Sequence, residues 1–130
     1  PLAEAVGFGA AIDYVTGIGL DAIHEHEQVL TAYGWELLNA IPGVTLYGPP
    51  PPDRAGILSF TVEGVHAHDV AQILDSEGVC VRAGHHCTQP AMRHFDVVAT
   101  TRASLYLYNT TEDLDRLATG LDRVKRTFGV

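Results

Sequence analysis

The stretch Arg82-Ala83-Gly84-His85-His86-Cys87-Thr88-Gln89-Pro90 gathers the most reactive residue types of this chain. Cysteine acts as a nucleophile in its thiolate form, and positive neighbours favour that form. Arg82 brings a permanent charge, and His85 and His86 are able to carry one. Gly84 gives the backbone freedom to turn, and Pro90 closes the segment. The same residues also fit an ordinary loop cysteine beside a surface histidine pair. A zinc reading fits poorly. His85, His86 and Cys87 are adjacent, with His66, His68 and His94 far off in sequence. Structural zinc ligands recur instead at C-x₂-C or H-x₃-H type spacings. No metal site is expected within this chain.

The elements that must position this segment follow from periodicity. Residues 2–15 are Ala-rich, with Leu2, Val6, Ala10 and Tyr14 on one helical stripe that Gly17 and Gly19 break. Residues 20–41 read as a second helix, capped by Asp21, with Leu30, Tyr33, Leu37 and Ile41 on one face and Pro42-Gly43 as its stop. Residues 44–47 form a short strand, and the Gly48-Pro49-Pro50-Pro51-Pro52-Asp53 connector is stiff and poor in donors. Residues 57–62 alternate as a strand, and 67–77 form a helix ended by Gly78. Residues 79–82 are a short strand leading into the reactive loop, with Cys80 as a small core side chain. Residues 90–95 allow one helical turn, 103–108 alternate as a strand, and Asn109 or Thr110 opens a last helix. That helix carries Leu114, Leu117, Leu121, Val124 and Phe128 at spacings of three and four. The fold class is α+β: a small antiparallel or mixed sheet packed with helices.

Composition bounds the function. The 130 residues suffice for one domain, and 46% are hydrophobic, enough for a core. Lys and Arg total 8 against 16 Asp and Glu, a formal charge of −8. That balance argues against a nucleic-acid surface and disfavours an anionic membrane. No apolar run approaches the roughly 18–20 residues of a membrane span, and the opening lacks the basic flank of a secretory signal. Two cysteines make no disulfide framework, so a reducing cytoplasm is the expected compartment. The sole lysine, Lys125, lies in the last helix, so chemistry needing a Schiff-base lysine must find it elsewhere. The chain starts in mid-helix pattern without an initiator Met, and is read as a piece of something longer.

The segments V-R-A-G-H-H-C-T-Q-P-A-M and T-R-A-S-L-Y-L-Y-N-T resemble the C-terminal domain of SufS-type cysteine desulfurases. These are pyridoxal-phosphate enzymes of the class V aminotransferase superfamily, fold type I. D-Y-V…L-D-A-I-H-E-H-E-Q-V-L-T-A-Y and G-V-H-A-H-D-V-A-Q-I-L-D fit the same pattern in order, so the resemblance covers essentially the whole chain. It implies that Cys87 is the sulfur-accepting nucleophile. The thiolate attacks the sulfur of cofactor-bound L-cysteine, leaving alanine and an enzyme persulfide that supplies iron–sulfur cluster assembly. It implies that Arg102 binds the substrate carboxylate, as a planar guanidinium does through two parallel hydrogen bonds. Arg82, Gly84, His85 and His86 become the supporting loop. The sulfur acceptor is expected to be SufU-like or SufE-like, and His68, by itself a surface residue, corresponds to a histidine able to join the zinc where the acceptor is a zinc-containing, scaffold-like protein. Residues 1–17 would be the helix joining a large domain that is absent, and 18–130 the C-terminal small domain. The cofactor lysine belongs to that large domain. This chain alone is therefore expected to bind no pyridoxal phosphate and to be inactive, and the parent to be a homodimer. Two other readings remain. One is another class V relative, an epimerase or lyase, which would not need the thiol. The other is a stand-alone metal-binding or interaction module.

Overall fold

The computed structural model describes residues 1–130. The elements run α1 (Leu2–Ile18), α2 (Leu20–Asn39), β1 (Val44–Tyr47), β2 (Ile57–Val62), α3 (Ala67–Ser76), β3 (Arg82–Gly84), α4 (Gln89–His94), β4 (Thr100–Ser104) and α5 (Thr111–Phe128). The four strands form one sheet in the order β1-β2-β4-β3, antiparallel throughout. The fold is thus α+β, as the sequence predicts, with no parallel pair.

Side chains of a strand alternate between the two faces of its sheet, and here the faces differ in kind. Leu58, Phe60 and Val62 of β2 point into the core, against Leu30 and Leu38 of α2, Val70 and Leu74 of α3, and Leu114, Leu117, Leu121 and Val124 of α5. Each such side chain contributes about 1.5–3 kcal/mol when fully buried. The opposite face carries the aligned row Tyr47, Ser59, Arg102 and Arg82, one residue from each strand. The fold packs three helices behind the sheet, and its front bears a cleft where Ser59 and Arg102 stand among Tyr47, Ile57, Met92 and Phe95.

The helical stripes explain the packing behind it. In α2 the buried residues are Ile23, Leu30, Thr31, Gly34 and Leu38, so the inner face is rotated from the one periodicity suggested. Gly34 is the reason. A Cβ there would lie 2.6 Å from Leu58 Cδ1 and 3.0 Å from Leu114 Cδ2, so α2 approaches the sheet along its glycine. Tyr33 turns outward and donates its hydroxyl to Asp115 Oδ1 at 2.6 Å. Asp21 does not cap α2: the cap is Gly19, without a side-chain bond, and Asp21 sits in the first turn. Gly17 does not break α1. The turn comes at Gly19, whose φ of 99° is open to glycine, and α1 and α2 meet there at 76°. No single helix is long and apolar enough to cross a membrane. No residue of α1 is buried, and Leu2, Val6, Phe8 and Tyr14 are all exposed.

Two strands differ from their expected limits. Residues 79–81 make no ladder, and pairing begins only at Arg82, opposite Arg102. Val79 and Val81 pack on the core while Cys80, between them, is exposed rather than internal. β4 starts at Thr100 and stops at Ser104. Thr100 and Thr101 are fully buried, which an apolar alternation test overlooks. The proline-rich connector is tied down by Arg54, which donates Nε to Pro49 O at 2.6 Å and lies 4.4 Å over the Trp35 ring.

Candidate active site

β3 delivers the reactive loop to the front of the sheet. Gly84, at φ 128°, ends the strand. His86 and Cys87 then both adopt left-handed conformations, at φ 54° and 60°. Each such non-glycine residue costs on the order of 1–2 kcal/mol, so the turn persists only where its surroundings hold it. Thr88 closes it, donating both its N–H and its hydroxyl to His85 O at 2.8 Å. The Thr88 carbonyl then accepts from Ala91 N and Met92 N, which starts α4. Cys87 is left at the crest of the turn, exposed and free.

Arg82 reaches it from β3, with Nη2 3.9 Å from Cys87 Sγ. Arg102 stands directly opposite Arg82 in the β3–β4 register, so both guanidinium groups share one face of the sheet. Like charges in that relation oppose folding. No carboxylate relieves them, because the sole ion pair of the chain is Arg123 with Glu77, at 3.9 Å. Arg102 is half-buried, and its Nε donates to Ser104 Oγ at 3.1 Å. A chain of charge −8 thus keeps an unneutralised positive pair beside its thiol.

His86 links the two halves. Its ring lines both the hollow around Arg82, His85, Cys87 and Pro90 and the adjoining cleft, of about 240 Å³, that holds Arg102, Tyr47, Ser59 and Phe95. Nε2 lies 3.1 Å from Thr100 O and 2.9 Å from Thr100 Oγ1. A carbonyl only accepts, so Nε2 carries the proton and Nδ1 keeps its lone pair, buried and unpartnered. Burial holds His86 below the usual histidine range, against the pull of the Thr100 carbonyl, and the charges of Arg102, Arg82 and His85 push it the same way. The ring is neutral at pH 7.

The structure therefore brings Cys87, Arg82, His85, His86 and, across the strand pair, Arg102 to one region. His68 is exposed in the first turn of α3 and lines neither hollow. Its N–H is accepted by His66 Nδ1 at 3.2 Å, and the two rings meet edge to face with centroids 5.1 Å apart. No three His, Cys, Asp or Glu side chains converge as a metal site. Thr100 and Ser104 hold site residues yet carry no local signal in the sequence. Lys125 donates Nζ to Pro42 O at 2.7 Å, at the start of β1 and outside both hollows. The sole lysine is thus not among the residues around the thiol.

Residues 1–117 match the aminotransferase class-V family. The chain belongs to that family. This class-V domain is 54% identical over 128 residues to a protein of Halalkalibacterium halodurans named a probable cysteine desulfurase, covering 98% of the chain and 31% of that protein. The apo structure of a cysteine desulfurase from Thermococcus onnurineus superposes with a TM-score of 0.89 at 37% identity, over 95% of this chain and 31% of the other. A cysteine desulfurase of Escherichia coli, described as an S-sulfonic acid, gives 0.87 at 28% identity over 95% of this chain and 30% of the other. The class-V domain thus spans about a third of the length of the relatives it matches, and its fold is that of the corresponding part of cysteine desulfurases.

Proposed function

We propose that this class-V domain supplies the sulfur-accepting thiol and the carboxylate clamp of a pyridoxal-phosphate-dependent cysteine desulfurase. The observation that carries the reading is the exposed Cys87 beside an arginine pair that has no internal counter-ion. An amino-acid substrate brings the missing carboxylate, and its side chain then lies toward the sulfur. The relatives named as cysteine desulfurases support the same reading.

In the reaction, L-cysteine is bound through its carboxylate at Arg102. The Cys87 thiolate forms an S–S bond to the substrate sulfur, and the substrate Cβ–S bond breaks. The electron pair stays with the carbon skeleton, whose protonation gives L-alanine, and Cys87 is left as a persulfide. Pyridoxal phosphate, held elsewhere in the parent, supplies the electron sink for the substrate. Residues 1–17 then join the large domain that holds it. The domain alone is inactive on this reading, having the acceptor without the sink.

The persulfide passes to an acceptor protein, SufU-like or SufE-like, for iron–sulfur cluster assembly in a SUF-type system. Where that acceptor is the zinc-containing, scaffold-like kind, His68 contacts its zinc, and imidazole displaces a thiolate ligand. The parent is a homodimer of the cytoplasm, where both thiols remain reduced. The test is Cys87→Ser in the intact parent. Alanine release and persulfide formation are expected to fall to background while cofactor absorbance is retained. Full alanine release in that variant would overturn the assignment of Cys87 as the nucleophile, whereas an epimerase or lyase, which uses Arg102 without the thiol, would show as epimerised or eliminated product in both proteins.

A further inference from the structure

We propose that Thr100 is a positioning residue: its carbonyl and hydroxyl grip the His86 ring and so hold Cys87 in the left-handed turn beside Arg82. This deepens the desulfurase reading and rests on it for the role of Cys87.

Consecutive left-handed residues without glycine do not hold themselves, so His86 and Cys87 depend on contacts outside the turn. The Thr88–His85 bonds close the turn from within, but they do not tie it to the sheet. Besides the long Arg82 Nη2–Cys87 Sγ contact at 3.9 Å, the turn is anchored to the sheet through His86 Nε2, shared between Thr100 O at 3.1 Å and Thr100 Oγ1 at 2.9 Å. Thr100 is fully buried and stands opposite Gly84 in the β3–β4 register, so the anchor lies level with the point where the loop leaves the sheet. Arg102 follows two residues later on the same face. One strand thereby fixes both the loop of the thiol and the guanidinium assigned to the substrate. The neutral state of His86 suits the grip, since Nε2–H donates while the buried Nδ1 has no acceptor to receive a second proton.

The test uses the intact parent protein with Thr100→Val, which keeps the β-branched shape and removes the hydroxyl, and Thr100→Ser, which keeps it. The first readout needs no substrate: iodoacetamide labelling of Cys87, measured by mass spectrometry against Cys80 as the exposed internal reference. Thr100→Val is expected to lower the Cys87:Cys80 labelling ratio threefold or more, as the thiol drifts from Arg82, and Thr100→Ser to stay within twofold of wild type. The second readout is steady-state turnover of L-cysteine. In Thr100→Val, kcat is expected to fall about tenfold with KM within twofold, and Thr100→Ser to recover most of it. An unchanged labelling ratio in Thr100→Val, or an equal fall in Thr100→Ser, overturns the clamp. Should Thr100→Val fail to fold, His86→Phe breaks the same anchor from the loop side, and an unchanged ratio there overturns the clamp equally. Failure of the desulfurase reading would show separately, as turnover in Cys87→Ser with the labelling ratios still shifted.

Discussion

Replacing Arg102 by Ala or by Lys separates charge from geometry at the substrate clamp. Ser104 Oγ already engages Nε at 3.1 Å and orients the group, leaving the terminal amino groups to face a carboxylate side by side. A hydrogen bond to a charged partner contributes about 1.5–3 kcal/mol. Two of them at a half-exposed guanidinium, discounted for solvent screening, come to about 3 kcal/mol, or roughly a hundredfold in affinity. Arg102→Ala is therefore expected to raise the KM for L-cysteine about a hundredfold in the intact parent. Arg102→Lys keeps the charge and loses the paired bonds, a difference of about 1.4 kcal/mol or tenfold. Arg102→Ala should not destabilise the fold, because it relieves Arg82 opposite of a like charge, whereas Arg102→Lys leaves that repulsion as it was. The assay is alanine release against cysteine concentration, with thermal melting recorded in parallel. A KM for Arg102→Ala within twofold of wild type would refute the assignment of the carboxylate to this side chain.

Three further outcomes follow from the same geometry. Gly34→Ala should destabilise the domain by about 1 kcal/mol or more, because overpacking against Leu58 and Leu114 outweighs the gain in helix propensity; a raised midpoint in urea would contradict the close approach. Asp113 accepts Thr110 N and Asn109 Nδ2, both at 3.1 Å, and these bonds hold its carboxyl below the usual aspartate range. Its contribution is present above the unfolded value, 3.8, and is lost as pH falls below that through the folded one. Asp113→Ala should cost about 1 kcal/mol at pH 7 and less at pH 3, read from melting curves at the two pH values. His86 titrates below its ordinary value of 6.5 in the fold, so the unfolded chain binds the proton first on acidification. The melting temperature should therefore decline as pH drops from 6.5 toward the depressed value, and His86→Gln should flatten that decline; an unchanged slope would deny the burial of the ring.

Much of the fold was legible because core residues repeat at fixed periods. The α5 stripe from Leu114 to Val124 and the alternation of β2 are unambiguous, since one side of each is apolar. The α2 face was misplaced because its closest contact is made by Gly34, which has no hydropathy to count. The limits of β3 and β4 were missed because hydrogen-bonded pairing involves Arg82, Thr100 and Thr101, while the apolar Val79 and Val81 pack without pairing. Cys80 follows from that error, since a residue between two inward valines points outward. In the site, residue types alone singled out Cys87 and its neighbours. The left-handed pair His86-Cys87 was unreadable, since no glycine marks it. The Thr100 contact was equally hidden, because it spans 14 residues and depends on strand register.

The division of the sheet into two unlike sides has a consequence for how such a domain changes over time. Leu58 and Phe60 are fully buried, while Ser59 and Arg102, aligned on the other face, are only half-buried. Substitutions at those half-buried positions, unlike one at the fully buried Thr100, can then retune reactivity without reaching the core residues. A scaffold wired this way is free to explore new reactions long before it risks coming apart.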